Sequence, residues 1–131
     1  MSDSQTLRAF INYAAAYAPA EKYDLILWDH GDGPVGGYGI DSHDDELDAD
    51  GYARAMSFPG IVDAISGNAV TDADGDGTPD GKFDFVDFDA CLMGSTEVML
   101  ALSGYADYYI ASPMIEPWKG QDYRGWLNAV G

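Results

Sequence analysis

Apolar residues recur at helical spacing in four segments of the chain, and three short apolar runs lie between these segments. The first helical segment begins at Ser4 or Asp3, either of which can cap a helix, and Pro19 ends it. The other three predicted helices cover residues 58–66, 94–103 and 122–130. The pattern therefore predicts four helices, each with one apolar side.

The three apolar runs predict β-strands. Residues 23–28 are mostly apolar, which predicts a strand that is buried on both faces. Residues 83–88 begin with alternating apolar and acidic positions, and residues 108–112 form a third run that Pro113 ends. Helices and strands thus alternate along the chain, and this order predicts an α/β fold with a parallel sheet and helices on its faces.

Two polar stretches interrupt this order. Residues 29–51 and 71–81 contain too many Gly and Asp residues for regular structure, so they predict loops. In open parallel sheets, functional groups gather just beyond the carboxyl ends of the strands. The residues that directly follow each predicted strand are therefore the first candidates for a functional site.

Composition narrows the classes of function. The chain has 131 residues, enough for one compact domain. Its 23 acidic and 6 basic residues give a net charge of -17, which argues against binding to nucleic acid or to anionic membranes. The same charge suits cationic substrates and bound cations such as Ca²⁺. No apolar run approaches the ~20 residues of a membrane span, and residues 1–15 lack the pattern of a signal peptide.

His30 and Cys91 are the candidate catalytic residues, because each follows a predicted strand and the two would share one crevice if those strands are neighbours. A thiolate is a strong nucleophile, and a nearby imidazolium or the start of the helix at 94–103 would stabilise it. His30 could protonate a leaving amine, while the N–H groups of Gly31 and Cys91 hold the oxyanion. A lone cysteine or histidine is more often structural, so the residues alone leave both roles open.

Two segments resemble the catalytic signatures of a known enzyme family. Residues 23–31 (YDLILWDHG) and 87–94 (DFDACLMG) are similar to the histidine and cysteine motifs of the clostripain family of cysteine peptidases. The stretches 37–41, 105–108, 116–117 and 121–123 agree with the same family. The resemblance implies a caspase-like fold, a three-layer α/β sandwich with a mainly parallel sheet, shared with gingipains, legumains and caspases. It also implies a His–Cys dyad that cleaves protein or peptide substrates after Arg or Lys.

The same resemblance assigns substrate-binding residues. Asp89, two residues before the cysteine, matches the acidic residue that shapes the pocket for the basic side chain before the scissile bond (P1). A carboxylate that faces a guanidinium in a partly dry pocket gains a charge-assisted pair. Glu116 and Asp122 are further candidates for the same wall. Asp89 could instead brace the turn, and Glu116 could be a rim charge.

An acidic loop predicts a calcium site. Residues 72–80 (DADGDGTPD) follow the D-x-D-x-D-G pattern in which alternate carboxylates converge on one Ca²⁺. The predicted ligands are Asp72, Asp74, Asp76, the carbonyl of Thr78, and Asp80. Phe83 replaces the bidentate Glu of an EF-hand, so the loop is closer to the thrombospondin or dockerin kind and is expected to be a structural insertion. The alternative is a solvated acidic turn without a cation.

The whole chain, 1–131, is interpreted as a partial caspase-like peptidase domain that lacks flanking strands and needs the remainder of its parent, a secreted or cell-surface protein by resemblance. A rival hypothesis is a non-catalytic calcium-binding fragment or pseudo-enzyme of the same fold. A metallohydrolase using His30, His43 and the acids of 41–46 has weak support, because no two histidines stand four residues apart.

Overall fold

The computed structural model describes residues 2–40 and 54–130. In this part of the chain, five helices and three strands follow one another. They are α1 (Ser4–Tyr17), β1 (Asp24–Trp28), α2 (Gly33–Gly36), α3 (Phe58–Ser66), β2 (Phe83–Asp89), α4 (Thr96–Leu102), β3 (Ala106–Ala111) and α5 (Tyr123–Val130). All four predicted helices and all three predicted strands are present. The short helix α2 lies inside a stretch that the sequence predicted to be a loop.

The strands form one parallel sheet in the order β1-β2-β3, which confirms the predicted α/β class. In the sheet, Trp28 pairs with Asp89, and Phe88 pairs with Ala111. The carboxyl ends of all three strands therefore lie side by side at one edge. The residues that follow β1 and β2 emerge there as neighbours, as the sequence order predicted.

Local signals in the sequence explain where the helices begin. Asp3 caps α1, because its carboxylate accepts the N–H groups of Gln5 and Thr6. The Ser57 hydroxyl accepts the N–H of Gly60 at the start of α3, and the Ser95 hydroxyl accepts that of Val98 at the start of α4. No helix in the described part of the chain is long and apolar enough to cross a membrane.

One face of the sheet carries the hydrophobic core. Leu25 and Leu27 of β1 lie beside Val86 and Phe88 of β2 on this face. Apolar side chains of three helices join them in one buried cluster: Leu7 and Ile11 of α1, Ile61, Ala64 and Ile65 of α3, and Val98 and Leu102 of α4. Burial of this surface is the main force that stabilises the domain.

The opposite face of the sheet, which we call the open face, is only partly covered. It carries Asp24, Ile26 and Trp28 of β1, Phe85, Asp87 and Asp89 of β2, and Tyr108 and Ile110 of β3. The residues 120–126 cover its centre, where Trp126 of α5 contacts Phe85 edge to face. Ile26 and Trp28 remain exposed, so the prediction that β1 is buried on both faces is wrong. The cause is that no element of the described chain packs over β1 on this side.

Candidate active site

The loops that follow β1 and β2 meet at a cleft of about 540 Å³. Its walls are Trp28, Asp29, His30, Asp89, Cys91 and the residues 115–118. The fold thus brings together four residues that the sequence singled out and that are far apart along the chain: His30, Asp89, Cys91 and Glu116. The segment 115–118, which closes the cleft, enters it from the connection after β3.

Gly31 packs directly against the cysteine segment. A Cβ atom at this position would overlap with the carbonyl oxygen of Cys91, and it would lie 2.9 Å from Cγ of Met93 and 3.1 Å from Cβ of Ala90. Only glycine permits this close approach of the two loops. The approach joins the loop after β1 to the loop after β2, so that His30, the preceding residue, lines the same cleft as Cys91.

The Cys91 thiol is half-buried and receives a hydrogen bond from the backbone. The N–H of Glu116 donates to Sγ at 3.3 Å. Such a donor stabilises a negatively charged sulfur more than a neutral thiol. The sequence predicted that the start of helix α4 would stabilise the thiolate. That helix begins at Thr96, and the N–H of Val98 in its first turn donates to the Ser95 hydroxyl. The N–H that donates to Sγ belongs instead to Glu116, in the segment that closes the cleft.

The backbone turn after the cysteine is constrained. Leu92 has φ = 61°, and among the described residues it is the one non-glycine residue in the left-handed region. A conformation of this kind persists only where the surroundings enforce it. Here the N–H of Leu92 donates to the carbonyl of Met114 at 3.0 Å, and that of Gly94 donates to Ser112 at 2.7 Å. These two bonds fix the turn to the chain that leaves β3, and with it the position of Cys91.

Two backbone N–H groups of the loops that border the cleft have no acceptor in the described part of the chain. The bridge between Gly31 and Tyr38 is made by the flanking groups, Gly39 N–H to His30 carbonyl and Asp32 N–H to Gly37 carbonyl, both at 2.9 Å. Within residues 2–40 and 54–130, neither the N–H of Gly31 nor that of Cys91 donates a hydrogen bond. Both groups can therefore donate to a bound oxygen atom.

Asp89 is a buried carboxylate with one oxygen fixed and one without a partner. Its side chain is 2% exposed. Oδ2 accepts the backbone N–H of Gln121 at 2.8 Å and the hydroxyl of Tyr123. Oδ1 is buried and has no hydrogen-bond partner in the described chain. A buried acceptor without a partner is costly, and a donor from a ligand in the cleft would remove that cost.

The neighbouring groups reinforce this arrangement. Burial and the hydrogen bond to Asp89 raise the pKa of the Tyr123 hydroxyl well above its usual value, so Tyr123 remains a donor at neutral pH. Asp87 is fully buried on the same face, and its Oδ1 accepts Nε2 of Gln121 at 2.9 Å. Burial raises the pKa of Asp87, and the nearby Asp89 and Glu116 add to this effect. The residues 121–123 thus hold both carboxylates.

Asp122 lies apart from the other predicted substrate-binding residues. Its side chain is exposed, and Oδ1 accepts the N–H of Gly125 at 3.0 Å in the first turn of α5. It is not among the residues that line the cleft. Glu116, in contrast, is a half-buried wall of the cleft and contacts Cys91 through its backbone.

The acidic loop brings three carboxylates together. One carboxylate oxygen from each of Asp72, Asp74 and Asp76 lies within 4.8 Å of the others. Backbone N–H groups of Gly77, Asp76 and Thr78 donate to these three carboxylates and fold the loop around them. Asp72 Oδ1 is buried and has no partner in the described chain. Asp80 braces the loop from the side, where its Oδ1 accepts the N–H of Ala73 at 3.0 Å.

A family model decides the classification of the chain. The model described as the clostripain family matches residues 1–130. The chain belongs to the clostripain family. Clostripain from Hathewaya histolytica is 33% identical over 104 residues, which are 75% of this chain and 18% of that protein. The predicted resemblance, and with it membership in a family of cysteine peptidases, is confirmed.

Solved structures of clostripain-family (C11) enzymes have the same fold. A secreted C11 cysteine protease from Bacteroides thetaiotaomicron, in complex with an irreversible peptide inhibitor, matches with a TM-score of 0.71 and 31% identity over 98% of this chain and 33% of its own. An inactive zymogen of a C11 protease from Parabacteroides distasonis matches with a TM-score of 0.63 and 30% identity over 91% of this chain and 28% of its own. The chain thus spans about a third or less of the length of these relatives.

Several residues of the clostripain-family cleft carried no role in the sequence analysis. Trp28, Ile115 and Trp118 are exposed apolar walls, and Tyr123 and the backbone of Gln121 orient Asp89. The available signal was the agreement of 116–117 and 121–123 with the family. It marked these stretches as similar without indicating what they contact. His43 and the acidic cluster at 41–46 lie outside the described residues.

Proposed function

We propose that this chain carries the catalytic centre of a cysteine endopeptidase that hydrolyses peptide bonds after Arg or Lys. Cys91 is the nucleophile, and His30 is the general acid and base. One observation carries the proposal: His30, Cys91 and Asp89, a buried carboxylate whose Oδ1 has no partner among the described residues, line the same cleft. Nucleophile, proton carrier and a docking group for a cationic side chain are thus within reach of one bound peptide.

In the first step, the thiolate of Cys91 attacks the carbonyl carbon of the scissile bond, and a C–S bond forms. The N–H groups of Gly31 and Cys91 donate to the oxyanion, since neither has an acceptor among residues 2–40 and 54–130. The C–N bond then breaks, and the proton of the His30 imidazolium passes to the leaving amine. The product is a thioester of Cys91 with the acyl half of the substrate.

In the second step, water hydrolyses the thioester. Neutral His30 takes a proton from the water molecule as its oxygen attacks the acyl carbon, and the same two N–H groups hold the second oxyanion. The C–S bond breaks, and the thiolate leaves with the electron pair. The N–H of Glu116 stabilises the sulfur as it regains its negative charge. The two groups return as a thiolate and an imidazolium.

The cleft suits a side chain with an apolar stem and a cationic end. Trp28 and Trp118 offer exposed indole surface for the stem of Arg or Lys, and rings of this kind attract cations. Asp89 Oδ1 would accept the charged end, while Oδ2 remains fixed by Gln121 and Tyr123. Bracing the turn, the alternative role, uses Oδ2 alone and therefore does not compete with this one.

Covalent labelling tests the proposal directly. We expect a peptidyl-arginine acyloxymethyl ketone to alkylate the full-length protein that carries this chain, with one adduct on Cys91, the single cysteine of the chain. The matched probe that ends in aspartate should react at least about 100-fold more slowly, because its side chain meets Asp89 in a buried site. Peptide mapping by mass spectrometry locates the adduct. Equal labelling by both probes would contradict the specificity, and no adduct on Cys91 would contradict the nucleophile and favour a pseudo-enzyme.

We propose further that the chain acts within a longer secreted protein. The Bacteroides thetaiotaomicron relative is described as secreted, and the relatives are about three times as long or longer. Exposed apolar side chains on the open face and outside the cleft, Ile26, Tyr108 and Ile110, suit cover by the remainder of the parent chain. The expected substrates are proteins and peptides with a basic P1 residue.

We also propose that the acidic loop binds Ca²⁺ in a structural role. Support comes from three carboxylates with oxygens within 4.8 Å and from the buried Oδ1 of Asp72, which has no partner in the described chain. Oxygen ligands of this kind suit a hard cation. Asp72, Asp74 and Asp76 would hold it, with the Thr78 carbonyl and Asp80 as further candidates. The ion would stiffen the loop that leads into β2 and would take no part in the chemistry.

Calorimetry checks the calcium site. In chelator-treated full-length protein, we expect Ca²⁺ to bind to this loop with Kd between about 10 µM and 1 mM. Asp76→Asn should weaken that binding at least about 10-fold, because it removes one of three converging charges. Glu97→Gln, which removes the same charge from an exposed position in α4, is the matched control and should leave Kd unchanged. If Asp76→Asn and the control bind Ca²⁺ equally well, the loop is a solvated acidic turn.

A further inference from the structure

A second cavity of about 730 Å³ borders the cleft at His30. Among the residues that the structure describes, His30 alone lines both cavities. Beyond His30, the second cavity is lined by Gly31, by side chains around α2 such as Val35, and by Ile40 and Ala55. The proposed mechanism gives no role to this space, although one wall of it is the residue that moves the proton.

The chemistry of the acylation step indicates what enters this cavity. The P1 side chain occupies the Asp89 cleft, and the P1 carbonyl carbon lies at Cys91. The leaving amine must lie within hydrogen-bond distance of His30 to receive its proton. The residue that follows the scissile bond (P1′) is attached to this amine. It therefore extends past His30, on the side away from Asp89.

We propose that the second cavity is the binding site for the P1′ residue and that it selects an apolar side chain there. This inference rests on the proposed function, because it takes the direction of the substrate from Cys91, His30 and Asp89. The occupant is the substrate itself, and the cavity adjoins the cleft at His30, which lines both.

The walls account for the apolar preference. Val35 is 99% exposed at the tip of α2, and Ile40 is 43% exposed, so both present apolar surface to the cavity that a ligand can cover. The polar residues that line the cavity are Ser2, His30, Asp32, Arg54 and Ser57. Val35 and Ile40, rather than these groups, are the side chains that we expect to contact an apolar P1′ residue.

The support for Val35 is rigid. Helix α2 is held at its base by the N–H of Asp32 and the N–H of Gly37, which donate to the carbonyls of Gly37 and Gly33, each at 2.9 Å. Gly37 has φ = 84°, and a Cβ there would overlap with the carbonyl oxygen of Met56. The exposed Val35 thus projects from a fixed turn. A wall that does not move on binding gives a selective contact.

A pair of matched peptides tests the subsite. Two quenched fluorescent substrates share an Arg at P1 and differ only at P1′, which is Leu in one and Asn, of similar size, in the other. In the full-length protein we expect kcat/KM to be about 10-fold higher for Leu. Val35→Ser should lower this ratio at least about 3-fold, because it removes the apolar wall. Leu100→Ser, at an exposed apolar position on α4 (71%) that lies outside both cavities, is the control and should leave this ratio unchanged.

An ester separates the subsite from the reaction itself. Nα-benzoyl-arginine methyl ester has no P1′ side chain, so its kcat/KM should be equal in wild type and Val35→Ser. A wild-type Leu-to-Asn ratio near one, or a ratio that Val35→Ser leaves unchanged, would overturn the subsite. If the wild type hydrolyses neither the peptides nor the ester, the proposed function fails, and the subsite fails with it.

Discussion

Replacement of Cys91 by alanine is expected to lower kcat on an Arg-ended fluorogenic peptide at least about 10⁴-fold in the full-length protein. The thiolate forms the covalent bond of the reaction, and the chain contains no second cysteine that could replace it. His30→Ala should cause a loss of similar size, because without the imidazole the leaving amine has no proton donor. The double variant should be hardly slower than either single variant, since the two residues act as a unit.

Controls distinguish chemistry from folding in this experiment. Ser103→Ala, at the exposed end of α4, should retain full activity. Cys91→Ala removes only one sulfur atom from a half-buried position, so its melting temperature should stay within a few degrees of wild type. If Cys91→Ala keeps wild-type kcat, Cys91 is not the nucleophile. If the double variant is slower by the product of the single losses, His30 and Cys91 do not form a dyad.

The sequence was sufficient for the order and type of the main elements, and it failed where burial depends on distant parts of the chain. Asp3 and Ser95 mark helix starts through local hydrogen bonds, so their effect could be predicted. The apolar run in β1 indicates a strand but not what covers its two sides. Ile26 is exposed because no described element packs over β1 on the open face. Periodicity cannot tell a covered face from an uncovered one.

The same division holds for the cleft. Cys91 and His30 could be placed at neighbouring strand ends from the element order alone. The hydrogen bond to Sγ could not be predicted, because its donor is the backbone N–H of Glu116, 25 residues along the chain, and any residue type except proline supplies such a group. The left-handed backbone conformation of Leu92 could not be predicted either, because a hydrogen bond to the carbonyl of Met114 enforces it. Contacts made by backbone atoms leave little trace in the sequence.

Asp89→Asn is expected to change which substrates the enzyme accepts. The amide oxygen should face Gln121 and Tyr123, which both donate to Oδ2 in the native protein, so the NH₂ group should point into the cleft. The guanidinium of the substrate then faces a hydrogen-bond donor at the position where Oδ1 of Asp89 offers an acceptor. Loss of a buried charged partner costs about 3–4 kcal/mol, so kcat/KM for an Arg substrate should fall roughly 10²–10³-fold.

A neutral isostere isolates the charge. Citrulline has the shape of arginine without its charge. For a peptide with citrulline at P1, kcat/KM should change by less than about 5-fold in Asp89→Asn. The large preference of the wild type for Arg over citrulline should therefore nearly disappear. Asp107→Asn removes an equal charge from an exposed position in β3 and should preserve the preference.

If Asp89→Asn still favours Arg over citrulline as strongly as the wild type does, Oδ1 of Asp89 does not bind the P1 side chain. Glu116 and Asp29, the two half-buried acids among the described residues of the cleft, would then be the remaining carboxylates for that role. An equal decrease in kcat/KM for the Arg and citrulline substrates would instead indicate that the substitution displaced the segment 121–123. Because the segment 115–123 also supplies the N–H at Sγ, such a displacement should change kcat as well as KM. Loss of the charge contact alone should instead change the ratio of kcat/KM for the Arg substrate to kcat/KM for the citrulline substrate.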